Sequence, residues 1–139
     1  MPGPFLDTNI LIRYLTRDDE VKAEAVFLLL RRIELGEEKV VTSPLVIFET
    51  VYTLQRSYRV PRATIREALT YIIALPGIEL PNKSVYVKAL DLFERKNISF
   101  ADAYNVVYMQ SHRLGEIYSW DTDFDNLEGI VRVEPPNAS

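Results

Sequence analysis

Apolar residues along this chain recur in short runs and at helical spacing, and the two rhythms alternate. Phe5-Leu6 is a short apolar run that ends at Asp7, and Asn9 to Thr16 follows with the spacing of a helix. Asp18-Asp19-Glu20 opens a second helix, which carries Val21, Ala25, Leu28 and Leu29 at helical spacing and stops near Gly36. Lys39 to Thr42 reads as a strand. Ser43-Pro44 places a cap residue before a proline in the first turn, which predicts a helix to about Tyr58, and Pro61 begins another that reaches about Leu75. Beyond Pro76-Gly77, Ile78-Glu79-Leu80 is a strand and Lys83 to Lys96 a helix. Ser99 then caps a helix ending at Gly115, Ile117 to Trp120 is a strand leading into Asp121, and Ile130 to Val133 is the last strand.

Strands that alternate with helices or helix pairs predict a mainly parallel sheet covered on both faces. The expected architecture is α/β, three layers in the order α/β/α, with about five strands in a central sheet. At 139 residues the chain fits one domain, 1–139, with no internal repeat, linker or low-complexity segment. In open sheets of this kind a ligand sits beyond the carboxyl ends of the strands, near the point where strand order reverses. Asp7 and Asp121 both end a predicted strand, which raises them from turn residues to site candidates.

Four acids stand beside apolar stretches: Asp7, Glu49, Asp102 and Asp121. Each has an ordinary alternative. Asp7-Thr8-Asn9 also suits a strand-to-helix turn. Glu49 shares a helix face with Leu45 and Tyr52 and could be half of a buried ion pair with a nearby arginine. Ser99-Phe100-Ala101-Asp102 fits a capping box, although Ala103, Val106 and Val107 turn the start of that helix inward. Asp121-Thr122-Asp123-Phe124-Asp125 could be a solvated acidic loop, whereas Trp120 and Phe124 suit the wall of a pocket. If the fold gathers the four acids, each pair about 4 Å apart repels by roughly 4 kcal/mol at an effective dielectric near 20, so the group needs protons or a cation. A carboxylate-bound divalent ion can lower the pKa of a water, polarise a phosphoryl oxygen and stabilise a leaving oxygen. An oxygen-only site prefers magnesium or manganese to zinc.

Composition removes several other chemistries. There is no cysteine, which excludes thiol catalysis, thiolate zinc sites and disulfides, and His112 is the one histidine, so no histidine cluster can hold a metal. His112 falls in Ser111-His112-Arg113-Leu114-Gly115, where a cation at a helix end is favoured by the dipole. The spacing Asp121-x-Asp123-x-Asp125 is not a calcium loop, because Asn126 and Arg132 stand where glycine and a bidentate glutamate are needed. No phosphate-binding glycine loop with a lysine is present. Asp7 as a phosphatase nucleophile lacks a second acid two residues on, since Asn9 stands there. No apolar run approaches the ~18 residues that span a bilayer, and the N-terminus enters a structured motif without a leader, so a soluble, cytoplasmic protein is expected. A net charge of -4 argues against a sequence-independent electrostatic nucleic-acid binder, but an acidic nuclease can rely on its metal and on local arginines.

Leu6-Asp7-Thr8-Asn9-Ile10-Leu11, the helical Glu49, Phe100-Ala101-Asp102-Ala103 and Ser119-Trp120-Asp121-Thr122-Asp123-Phe124 resemble, in order and spacing, the four acidic motifs of PIN-domain ribonucleases, and the size is similar to that of VapC-type toxins of toxin-antitoxin pairs. The resemblance covers essentially the whole chain. It implies a parallel sheet between helical layers, Mg2+ or Mn2+ held by the acids, and cleavage of RNA at a phosphodiester. Carried over by position, Asp7 and Asp102 are the principal metal ligands, with Glu49 and Asp121 completing the site directly or through water. Thr8, Asn9 and Ser119 orient ligands or water from behind, and Asp123 and Asp125 are further members. The resemblance also implies an RNA substrate and a small antitoxin partner. Pro4 departs from it, at the start of a strand that the family puts in mid-sheet; proline is tolerated only as a first strand residue, so a short strand is expected.

The densest basic stretch is Arg56-Ser57-Tyr58-Arg59-Val60-Pro61-Arg62, extended by Arg66. Arginine with an interleaved tyrosine can contact phosphates and stack on an unpaired base; a solvated face or a docking surface for an acidic partner segment is the alternative. Ala25 to Leu30 is apolar around most of its helix, which suggests burial in a homodimer or against a partner, or a helix wedged within its own core. A non-catalytic RNA- or protein-binding module and a magnesium-dependent phosphoryl-transfer enzyme are the competing functional readings.

Overall fold

In the computed structural model, which describes residues 2–137, the alternation becomes six α-helices, one 3-10 helix and four short strands. Met1, Ala138 and Ser139, which the expected domain includes, lie outside the described residues. α1 (Thr8–Thr16) begins directly after Asp7. α2 (Glu20–Glu34) starts where the Asp19 carboxylate accepts the Lys22 N–H at 3.1 Å. It closes with Gly36 at φ 80°, the Gly36 N–H bonding the Ile33 carbonyl and the Glu37 N–H the Arg32 carbonyl, a left-handed closure that glycine makes without steric cost. α3 (Pro44–Arg56) has its proline in the first turn, where a missing N–H is harmless, and Ser43 Oγ accepts the Val46 N–H. α4 (Arg62–Ala74), α5 (Lys83–Lys96) and α6 (Phe100–Ser111) follow.

α5 packs against α4 and α6, α1 against α2 and α3, and α3 joins the two groups through α4 and α6. Leu11, Ile47, Leu54, Leu69, Tyr86 and Phe93 are fully buried between them. On α2 the inward stripe is Ala23, Val26, Leu30 and Ile33, while Val21, Ala25 and Leu28 are exposed. This corrects the expected face. A helix apolar around most of its circumference satisfies helical spacing in more than one phase, and packing chose the other one.

The strands also differ from expectation. β1 (Val40–Val41) pairs in parallel with β2 (Ile78–Glu79), Phe5 makes a single parallel bridge to Val41, and β3 (Glu116–Tyr118) pairs in parallel with β4 (Val131–Val133). The chain is α/β, but the expected central sheet of about five strands is two separate parallel pairs, and among the described residues no strand bond joins them. The first strand is reduced to that bridge. Its edge toward β1 uses the Pro4 carbonyl and the Leu6 N–H, at 2.9 and 2.7 Å, and Pro4 has no N–H to extend the ladder. Thr42 Oγ1, buried, donates to the Leu6 carbonyl at 3.0 Å and pins the segment just before Asp7.

α6 stops at Ser111 rather than at Gly115. Arg113 takes the left-handed position at φ 58°, with the Arg113 N–H on the Gln110 carbonyl and the Leu114 N–H on the Met109 carbonyl. His112 lies at the C-cap of α6, where its Nδ1 lies 2.8 Å from the Tyr108 carbonyl oxygen and its ring stacks on Tyr108 with centroids 4.1 Å apart.

Candidate metal centre

Three carboxylates converge where the start of α6 meets the turn after β3. Asp102, Asp121 and Asp123 each offer an oxygen, and these oxygens all lie within 4.8 Å of one another. Asp102 sits in the first turn of α6, which Ser99 begins by accepting the Asp102 N–H on its hydroxyl at 3.0 Å. Phe100, Ala103, Val106 and Val107 bury the inner face of that turn and leave Asp102 half-buried at its edge. Asp121 caps the 3-10 helix Thr122–Asn126: its N–H donates to Ser119 Oγ at 3.0 Å, and its Oδ1 accepts the Asp123 N–H at 2.9 Å. Phe124 anchors this turn in the core.

Burial raises the Asp102 pKa above the ordinary 3.8, the Ser99 hydroxyl partly offsets that, and the charges of Asp121 and Asp123 raise it further. Each of these causes except Ser99 is relieved by a cation. The donor set fits a hard divalent ion: it is all oxygen, and the three carboxylates are close enough for one ion to reach.

The other acids are placed differently. Asp7 is exposed at the end of the bridged segment; it occupies the cap position of α1, but its side chain makes no cap bond. Glu49 is exposed on α3 and lines a cleft of about 370 Å³ with Leu45, Phe48, Tyr52, Ser99 and Ala101, beside the turn that carries Asp102. Neither joins the three-carboxylate group. The strand pairing that would set Asp7 against Asp121 is absent among the described residues, because β3 bonds only β4. The expected burial around Glu49 is also corrected, since Leu45 is 72% and Tyr52 61% exposed, and no ion pair to arginine forms there among the described residues. Trp120, expected as a pocket wall, is 70% exposed.

Thr8 is buried and Asn9 exposed beside Asp7, and Ser119 supports Asp121 as described. Asp125 is not one of the three and pairs with Arg132 at 2.8 Å. Among the arginines, Arg62 is occupied by the fold: Nη1 donates to the carbonyls of Phe93 and Ile98 at 2.7 and 2.6 Å, and the guanidinium lies 4.3 Å from the centre of the Phe93 ring. Arg66 pairs with Glu94. Arg56 is exposed over the Tyr52 ring, and Arg59 is exposed.

Read from the sequence alone, Asp123 stands behind Asp7, Glu49, Asp102 and Asp121 as a candidate, and the available signal for it is the Asp-x-Asp step, in which the Asp123 N–H bonds the Asp121 carboxylate.

A family model for the PIN domain matches residues 5–130. Over 134 residues the chain is 26% identical to the VapC ribonuclease of Aquifex aeolicus (strain VF5), a stretch that covers 96% of this chain and 98% of that protein. The match takes in nearly all of the chain and every acid described above, and the chain therefore belongs to the PIN domain family.

Proposed function

We propose that the chain is a divalent-metal-dependent endoribonuclease that hydrolyses RNA phosphodiester bonds, acting as the toxin of a toxin-antitoxin pair. The observation that carries this reading is the convergence of Asp102, Asp121 and Asp123 in a PIN-family chain related to a VapC ribonuclease. In this reading Asp102, Asp121 and Asp123 hold Mg2+ or Mn2+. Asp7, at the end of the bridged segment, and Glu49, in the cleft beside Ser99 and Ala101, are further candidate acids of the site. A bound divalent ion supplies a water of lowered pKa and polarises a phosphoryl oxygen. Because burial and the charges of Asp121 and Asp123 raise the Asp102 pKa, a cation held there would compete with protons, and its binding would strengthen as pH rises through that titration. Exposed Arg56 and Arg59 provide the positive charge that meets the RNA backbone.

The proposed partners are RNA, a small antitoxin protein and a second copy of the chain, in the cytoplasm. Exposed Phe27 and Leu28 on α2, beside a groove formed with Tyr14, Leu15 and Tyr71, support a protein partner at that face. No helix among the described residues is long and apolar enough to cross a membrane.

The test is cleavage of an end-labelled structured RNA with Mn2+ or Mg2+, beside a chelator control and the Asp102→Asn and Asp7→Asn proteins. Cleavage lost with the chelator and in Asp102→Asn supports the reading, and the Asp7 variant assigns that residue. An active protein indifferent to both metal and Asp102 overturns it. Light scattering on a gel-filtration column gives the mass that decides between monomer and homodimer.

A further inference from the structure

Arg132 lies on β4 opposite Ile117, and its side chain, 16% exposed, is where the two ends of the acidic turn meet. Nε and Nη2 donate to the two carboxylate oxygens of Asp125 at 2.8 and 3.4 Å. Nη1 donates to the Ser119 carbonyl at 3.2 Å and to Glu134 at 2.9 Å. Ser119 stands two residues before Asp121, and Asp125 two residues after Asp123. One guanidinium thus brackets the stretch that carries two of the three converging carboxylates, and it makes no ion pair with any of those three. Within the bracket, bonds from the Asp121 N–H to Ser119 and from the Asp123 N–H to Asp121 fix the remaining freedom. A segment with acids at 121, 123 and 125 would otherwise spread by mutual repulsion, and the planar fork of arginine suits a bidentate clasp that lysine cannot reproduce.

We propose that Arg132 is a positioning residue that clasps the Ser119–Asp125 segment so that Asp121 and Asp123 are held toward Asp102 as a preformed cation site. This rests on the metal-binding reading of those three acids. It makes a prediction opposite in sign to plain electrostatics. Removing a positive charge near a cation site should tighten cation binding. Removing a clasp should weaken it; groups bonded directly to metal ligands contribute roughly 10–100-fold in affinity, and Arg132 acts one bond further out.

The experiment is calorimetric titration of Mn2+ into the wild-type chain, Arg132→Gln and Arg132→Lys, with fluorescence anisotropy of Trp120, the one tryptophan, recorded on the metal-free proteins. Arg132→Gln is expected to bind Mn2+ more weakly, by up to about tenfold, with lower Trp120 anisotropy and a far-ultraviolet spectrum unchanged from wild type. Arg132→Lys keeps the charge but loses the fork, and is expected to fall between the two. Equal or tighter Mn2+ binding by Arg132→Gln overturns the proposal. If that variant does not fold, Arg132→Lys decides alone: weaker binding at unchanged charge supports the clasp, and wild-type affinity overturns it. Absence of Mn2+ binding by the wild type instead overturns the metal reading on which the proposal rests.

Discussion

Replacing Asp102 by Asn removes one of three carboxylates whose oxygens lie within 4.8 Å of one another. In the metal-free protein each of the other two repels it by about 0.9 kcal/mol at that distance in a water-like medium, and by about 3.5 kcal/mol at an effective dielectric of 20. Asp121 and Asp123 are exposed, which sets the sum of two pairs near the lower bound, about 2 kcal/mol. Asn forfeits the favourable placement of an acid in the first turn of α6, about 0.3–1 kcal/mol. The variant is therefore about 1 kcal/mol more stable without metal, or about 3–5 °C in Tm for a chain of this size. The pH dependence has the same sign. Burial, Asp121 and Asp123 raise the folded Asp102 pKa above 3.8, so between that value and the raised one the folded state binds more protons than the unfolded state. Wild-type stability without metal consequently falls as pH rises through that window, and the variant lacks the step. With Mn2+ at a hundred times its Kd, the wild type gains about 2.7 kcal/mol and the variant little, so the order of stabilities reverses. Calorimetric melts of both proteins at pH 7, with chelator and with Mn2+, measure this crossing. A variant that melts at or below the wild type without metal, and that gains as much from Mn2+, refutes the cation-site reasoning.

Three further outcomes follow from the same geometry. Arg62→Gln abandons two carbonyl acceptors and the Phe93 ring contact, and is expected to lower unfolding free energy by about 2–4 kcal/mol in urea titrations, so any loss of RNA cleavage in it reports unfolding. Arg59→Glu, at an exposed position, is expected to leave the melt within about 0.5 kcal/mol of wild type and to weaken cleavage in a salt-dependent manner; unchanged rates at several salt concentrations would remove it from the RNA surface. Tyr71 and Tyr86 are both held up to about 12, the first mainly by its hydrogen bond to Glu34 and the second mainly by burial. Absorbance titration should therefore show two late tyrosines, stability should fall from pH 10 to 12 as the unfolded chain ionises first, and Tyr71→Phe should delete one of those late steps.

The elements and their order were legible because local chemistry decides them. Asp19, Ser43 and Ser99 each cap the helix they precede, Pro44 lies in a first turn, and Gly36 closes α2 in a left-handed conformation that side chains resist. The end of α6 was less legible, because Arg113 took the left-handed position that a reader assigns to Gly115. Asp102 and Asp121 were legible as candidates, since an acid at an inward-turned helix start and an acid ending a strand both ask for a reason. The approach of Asp123 to Asp102 was not legible, because an acid in a run of acids looks solvated until its neighbour caps the turn.

What the sequence by itself determined is therefore the set of helices, the α/β alternation, the exclusion of thiol chemistry and of a histidine metal cluster, and a short set of candidate acids. Caps, periodicity and composition act over a few residues and need no partner. Tertiary structure alone decided which stripe of α2 faces inward, that Arg62 serves Phe93 and Ile98 rather than solvent, and that Arg132 binds Asp125 while Asp121 and Asp123 meet Asp102. It also decided that, among the described residues, the strands form two parallel pairs rather than one sheet. These are contacts between residues distant along the chain, set by packing and strand pairing that local propensity does not encode.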